Sequence, residues 1–259
     1  MSNEQSKFVW YELMTTDLQA AEKFYGEVIG WAAADAGMPG WAYTLLSTPA
    51  QVQVGGMMTL PPEARDAGAR PGWMGYVSVP DVDAMAAQVK AASGTIHREP
   101  ADIPGVGRFA VAADPQGAVF TLFKGSSSQA PTQPAPGAPG HAGWHELHAR
   151  DRESAFAFYA QQFGWTKGEA VDMGPMGIYQ LFATGGDPVG GMMNKAEEVP
   201  APFWLFYFNV DEIEAAVGRV KAAGGQVING PHPVPGGSWI AQCIDPQGAM
   251  FALVETRPM

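Results

Sequence analysis

Two short segments carry side chains that could do chemistry: Trp10-Tyr-Glu-Leu13 and Trp144-His-Glu-Leu-His148. In an extended strand alternate side chains share a face. Trp10, Glu12 and Met14 therefore lie together, as do Trp144, Glu146 and His148. A carboxylate desolvated among Trp and Met serves as a general base or anchors a cationic or hydroxylated ligand. The same position also suits an architectural carboxylate that hydrogen-bonds a neighbouring Tyr or backbone amides. Both readings stand open, and the tryptophans divide in the same way between core packing and ligand stacking. Glu146 and His148 are the candidate catalytic residues, since two groups on one face can share a metal or act as a base and its orienting partner. His145 points to the opposite face and cannot chelate with His148 unless a bulge intervenes. Met14 stands where His148 does, so such chemistry belongs to the second segment alone.

A second set of strands completes the wall. By the same parity Met74, Tyr76 and Ser78 share a face, matched by Leu205, Tyr207 and Asn209. With Met57 and Met192 nearby, the candidate ligand-binding residues are Trp10, Glu12, Met14, Met57, Tyr76, Trp144, Glu146, His148, Met192, Tyr207 and Asn209. Together they make an aromatic surface with one glutamate in each copy.

Positioning these residues is the work of an internal repeat. Trp10-x-Glu-Leu, Asp17, Phe24-Tyr25 and Gly30-Trp31 recur as Trp144-x-Glu-Leu, Asp151, Phe158-Tyr159 and Gly164-Trp165, displaced by 134 residues. Val54-Gly-Gly-Met-Met58 recurs as Val189 to Met193, and Asp114-Pro-Gln-Gly-Ala118 as Asp245 to Ala249. Order and spacing kept across several blocks imply duplication. The halves are 1–124 and 141–259, joined by a linker at 125–140 that has four prolines and no large apolar side chain.

Within each half the periodicity predicts a strand, an Asp-capped helix, further strands, and then the same again. Strands are expected at 8–14, 42–47, 52–58, 73–79, 107–113 and 117–123, then at 143–149, 177–183, 188–194, 203–210, 238–244 and 248–254. Helices are expected from Asp17 to Gly30, over 82–92, 152–162 and 212–223. This is a βαβββ module four times over, an α+β chain with curved, mostly antiparallel sheets. His97 and His232 fall in Pro-rich, exposed loops on this reading, Pro231 to Pro235 could form a lid, and Cys243 reads as a core residue.

Composition bounds the partners. There are 26 acidic residues against 15 Lys plus Arg, a net charge of −11. That argues against nucleic acid and anionic membrane surfaces, which need Lys and Arg to displace counterions. No apolar stretch is long enough to span a bilayer, and the first seven residues lack the apolar core of a signal peptide. A single Cys permits no internal disulfide, so a reducing cytoplasm is the expected location. A small-molecule ligand remains as the partner, for a monomer or a homodimer.

These motifs resemble the vicinal oxygen chelate superfamily, which includes glyoxalase I, bleomycin-resistance proteins and extradiol dioxygenases. The carriers are Asp-x6-Phe-Tyr-x4-Gly-Trp, Val-x10-Lys-Ala-Ala-x-Gly and Asp-Pro-Gln-Gly-Ala-x-Phe, each present twice. Trp-x-Glu-Leu opening both halves is similar to a two-domain bacterial glyoxalase-like subgroup. The resemblance implies tandem domains, each curling two βαβββ modules into a cup with a divalent metal at its base. The ligand positions it implies fall here on Trp10, Met74 and Thr121, and on Trp144, Leu205 and Ala252, with a further one within Gly-Gly-Met-Met. None supplies the imidazole or carboxylate that such metals take, so no metal and no other cofactor is expected. Two readings follow. The first is a bleomycin-resistance-like cup that binds a small, partly aromatic molecule. The second is a lyase, isomerase or hydroxylase-like enzyme using Glu146, His148 and Tyr207, with or without a non-standard metal. Pairing of modules within halves is expected, and pairing across them is the alternative.

Overall fold

The computed structural model describes residues 6–38, 42–126 and 134–257. The N-terminal half runs β1 (Phe8–Thr15), α1 (Leu18–Ile29), β2 (Ala32–Asp35), β3 (Tyr43–Ser47), β4 (Gln53–Thr59), a short α2 (Pro62–Asp66), β5 (Gly72–Ser78), α3 (Val82–Ala91), β6 (Thr95–Ile103), β7 (Gly107–Ala113) and β8 (Val119–Gly125). The C-terminal half runs β9 (Ala142–Ala149), α4 (Arg152–Phe163), β10 (Thr166–Asp172), a 3-10 turn (Gly174–Met176), β11 (Ile178–Ala183), β12 (Pro188–Asn194), β13 (Phe203–Asn209), α5 (Ile213–Ala222), β14 (Gln226–Pro233), β15 (Trp239–Ile244) and β16 (Met250–Glu255).

The strands form two eight-stranded mixed sheets, one per half, in the orders β2, β3, β4, β1, β5, β8, β7, β6 and β10, β11, β12, β9, β13, β16, β15, β14. The pairs β1 with β4 and β5 with β8 are parallel, while the other registers within each module are antiparallel. Neither sheet closes into a barrel.

The periodicity does not locate β2, β6, β10 and β14, the four edge strands. They are mostly exposed and bury no continuous apolar face, so nothing in the pattern marks them. His97 and His232 accordingly lie in β6 and β14 rather than in loops. Both edge strands carry a proline, Pro100 and Pro231, as suits strands with one unpaired side.

The helices follow their caps. Asp17 accepts the Ala20 N–H at 3.0 Å, and Asp151 accepts the Ser154 N–H at 2.8 Å. Gly30 and Gly164 end α1 and α4 with left-handed backbones, φ 87° and 71°.

By compactness the chain divides into two units. One comprises Met1–Val9, Met74–Thr132 and His145–Trp204; the other comprises Trp10–Trp73, Gln133–Trp144 and Leu205–Met259. The sheets thus follow the halves, whereas each unit joins the first module of one half to the second module of the other. In the first unit, Tyr159 on α4 donates to Asp114 Oδ2 at 3.2 Å and accepts from Trp204 Nε1 at 3.0 Å. Asp114 Oδ1 meanwhile accepts the N–H groups of Gln116, Gly117 and Ala118 at 2.8 to 3.0 Å. Trp165 stacks between Tyr159 and Phe182, at 5.1 and 4.7 Å.

The second unit repeats the device with the halves exchanged. Tyr25 donates to Asp245 Oδ2 at 3.1 Å and accepts from Trp73 Nε1 at 2.9 Å. Burial raises both aspartates above the usual carboxylate range, and the converging N–H donors oppose that rise. The Phe-Tyr and Asp-Pro-Gln-Gly motifs are therefore partners, remote in sequence and joined inside one core. The linker's final residues dock in the same unit, where Gly140 O accepts from Trp31 Nε1 at 2.8 Å. Residues 127–133 of the linker lie outside the described residues.

Candidate functional site

Each glutamate is built into a cluster by its neighbouring strands. In the N-terminal half, the parallel register sets Glu12 beside Gly56 and Met14 beside Met58. Parallel partners share a face. Leu13 and Met57, fully buried, occupy the other face, and Met192 pairs with fully buried Leu147 in the same way. Met57 and Met192 are thus turned away from the glutamates. Met58, paired with Met14, and Met193, paired with His148, stand on the glutamate faces in place of the expected Met57 and Met192.

Tyr43 on β3 completes the N-terminal cluster. Its hydroxyl accepts from Trp10 Nε1 at 2.9 Å and bonds to the Glu12 carboxylate. Burial first, and then the charge of Glu12, hold the phenol well above its ordinary range. Glu12 itself is only 4% exposed. A side chain on Gly56 would overlap the Tyr43 ring, so glycine is what lets the tyrosine cross β4 to reach β1.

The C-terminal cluster keeps this plan and adds to it. Tyr179 on β11 donates to Glu146 Oε2 at 2.9 Å across Gly191, where a Cβ would again meet the ring. The second carboxylate oxygen, Oε1, lies 2.7 Å from His148 Nε2. The imidazole stacks flat on Phe203, with centroids 4.6 Å apart and planes 2° from parallel. Its side chain is 15% exposed and that of Glu146 9%. Tyr179, Glu146, His148 and Phe203 all belong to the first compact unit.

His145 behaves as its parity requires. It is buried on the other face, stacked on Phe8 at 4.6 Å, and its Nδ1 donates to the Val189 carbonyl at 2.8 Å. Burial pulls its pKa down to about 4. The remaining candidates are placed elsewhere. Tyr76 packs its ring edge against Phe123 at 5.8 Å. In the second unit Tyr207 accepts from Gln242 Nε2 at 2.8 Å. Asn209 Nδ2 donates to Ala138 O at 3.1 Å, tying down the end of the linker. Trp144 is half-buried on β9. Cys243 is fully buried, which pushes its thiol up to about 12.

Tyr43 and Tyr179 are the residues that strand parity missed. The signal was their recurrence, each shortly before a Gly-Gly-Met-Met block. Gln242 was missed as well. It shares a register row with Ala252, which also pairs with Tyr207.

The positions expected to hold a divalent metal carry side chains that do not fit one. Thr121 Oγ1 donates to Met74 Sδ at 3.2 Å, so two of these positions are satisfied by one another. Their counterparts are Leu205 and Ala252, and Trp10 uses its indole N–H on Tyr43. Among the described residues no three His, Cys, Asp or Glu side chains gather. No helix among them is long and apolar enough to cross a membrane.

Comparison with known proteins agrees with this architecture. The family described as Glyoxalase/Bleomycin resistance protein/Dioxygenase superfamily matches residues 7–122 and 140–253. A protein named "Putative glyoxylase CFP32" from Mycobacterium bovis is 32% identical over 251 residues, covering 96% of this chain and 94% of its own. Anthracycline biosynthesis protein DauV from Streptomyces sp. (strain C5) is 32% identical over 261 residues, covering 96% and 92%. Among solved structures, the Mn(II)-bound glyoxalase from Novosphingobium aromaticivorans superposes with a TM-score of 0.66 at 16% identity, covering 98% of this chain and 82% of that one. The 2,3-dioxygenase LapB from Pseudomonas sp. KL28 gives 0.67 at 13% identity, with 98% and 93% covered. At these identities the structures speak for the fold alone.

Proposed function

The chain belongs to the glyoxalase/bleomycin resistance protein/dioxygenase superfamily, and from that premise we propose that it binds a small, partly aromatic molecule on the glutamate faces of its sheets, without a divalent metal. The observation that carries this reading is the replacement of ligand chemistry by recognition chemistry. Where a metal would need imidazole and carboxylate, Thr121 and Met74 satisfy each other. Beside each glutamate, half-buried aromatic rings of Trp10, Tyr43 and Tyr179 are held in fixed hydrogen bonds. Rings fixed in this way present an apolar surface with a polar edge at little further entropic cost. The name of one relative, an anthracycline biosynthesis protein, favours a planar polycyclic ligand.

Thermal unfolding tests the reading with an anthracycline, 1,4-naphthoquinone and 4-nitroanisole as probes. A ligand at a hundred times its Kd stabilises by about 2.7 kcal/mol. For a chain of this size that corresponds to a rise of roughly 5 to 10 °C in Tm. A rise with at least one probe, lost in Tyr43→Ala plus Tyr179→Ala, is the expected result. Unchanged melting with all three would overturn the proposal.

A further inference from the structure

The two glutamate clusters differ in one respect that points to a ligand group. In the C-terminal cluster the carboxylate is held at both oxygens, by the Tyr179 hydroxyl on Oε2 and by His148 Nε2 on Oε1. A carboxylate oxygen only accepts, so Nε2 carries the proton of that bond. In the neutral ring, Nδ1 is then the acceptor. Nδ1 makes no hydrogen bond among the described residues, while the side chain keeps 15% of its surface exposed. The ring cannot easily turn to exchange its nitrogens, because Phe203 lies flat against it. The N-terminal half has neither part. Met14 stands at the position of His148, and Gly72 at that of Phe203.

We propose that the C-terminal half binds its ligand through an acidic hydroxyl, a phenol or an enol, whose proton His148 accepts at Nδ1. The O–H bond of the ligand breaks, its electron pair stays on oxygen, and the proton forms an N–H bond at Nδ1. The product is a phenolate or enolate beside an imidazolium. Glu146 sits on the far nitrogen of that imidazolium and neutralises it, and the Tyr179 hydroxyl keeps the carboxylate from rotating away. No oxidant or co-reactant is consumed. A charge-assisted bond of this kind is roughly twice as strong as a neutral one, enough to select a hydroxylated ligand over its methyl ether by about tenfold or more. The N-terminal half, with a thioether in place of the imidazole, makes no such selection.

This inference rests on the binding reading above, and one pair of probes separates the two. 4-Nitrophenol and 4-nitroanisole differ only in the acidic proton, and the phenolate of the former is seen directly by its visible absorbance. Titrated into the full chain, 4-nitrophenol is expected to bind about tenfold more tightly than the ether, with one equivalent per chain taking the nitrophenolate spectrum. In His148→Met, which installs the side chain of the other half, the ratio of the two affinities is expected to fall to about one and the phenolate signal to disappear. Glu146→Gln, which removes the counter-charge of the imidazolium, is expected to lower the ratio of the two affinities and the phenolate signal. Equal affinity for the two probes in the native protein, or a preference that survives His148→Met, overturns the inference and leaves the binding reading standing. Binding of neither probe overturns the inference, whereas the binding reading falls only if the anthracycline and 1,4-naphthoquinone fail to bind as well.

Discussion

The imidazole of His148 and the ring of Phe203 lie face to face, 4.6 Å apart and 2° from parallel, and the duplicated half replaces both, with Met14 and Gly72. Two departures at contacting positions are what a specialised site would show after duplication, since the imidazole needs a flat support and the thioether does not. Phe203→Gly, which restores the residue of the other half, is expected to fold. Phe203 is half-buried, so the cost is about 2 kcal/mol from lost apolar burial and added backbone freedom. Urea unfolding measures that cost. A value near zero would mean that the stack holds nothing in place.

The Gly-Gly pair of each half makes a sharper prediction. Because a Cβ at position 191 would meet the Tyr179 ring, Gly191→Ala is expected to push the phenol off Glu146. Overpacking of this kind costs roughly 1 to 3 kcal/mol. Removing the ring should relieve the clash, so the double variant Gly191→Ala plus Tyr179→Ala loses less than the sum of its single changes. Additive losses in a double-mutant cycle would show that the glycine serves another purpose.

How legible this arrangement was in the sequence depends on the kind of contact. Face sharing along one strand is a matter of parity, and it brought Glu146 and His148 together correctly. It also set His145 apart, on the buried face. Parity says nothing about a long side chain that reaches over a glycine from a neighbouring strand, which is why Tyr43 and Tyr179 escaped it. The face of Met57 and Met192 depends on the register between β1 and β4 and between β9 and β12, which no single strand reveals. Likewise Phe-Tyr and Asp-Pro-Gln-Gly read as fold markers, yet the hydrogen bond from Tyr25 to Asp245 spans 220 residues and joins opposite halves. The edge strands were illegible for a plainer reason: mostly exposed, with no fully buried side chain on either face, they need no strict alternation.

Metal dependence offers a direct check on the donor chemistry. With Met74 and Thr121 bonded to one another, and with Glu146 already engaged by Tyr179 and His148, a divalent cation would have to break existing bonds to gain two donors at most. Binding a metal to the folded state alone raises stability. Adding excess Mn(II), Ni(II) or Zn(II), or removing metal with a chelator, is therefore expected to leave Tm within a degree or so. A saturable rise of several degrees with one cation, abolished in Glu146→Ala, would contradict the assignment.

Acid should find a specific weak point at His145. Its folded-state pKa is pulled down to about 4 from 6.5 by burial against Phe8, a fall that the bond to the Val189 carbonyl opposes. As pH falls below 6.5, the unfolded chain takes up a proton that the folded chain refuses until about pH 4. The stability is thus whole above pH 6.5 and is lost progressively down to about pH 4. At about 1.4 kcal/mol for each unit of pH inside that window, the loss between pH 7 and 4.5 comes to roughly 2 to 3 kcal/mol. His145→Phe keeps the stacked ring and removes the titration. The native protein should therefore lose that much more than the variant when urea unfolding is compared at the two pH values, since carboxylate effects are common to both. Parallel losses would place the acid sensitivity elsewhere, with the buried Asp114 and Asp245 as the next groups to vary.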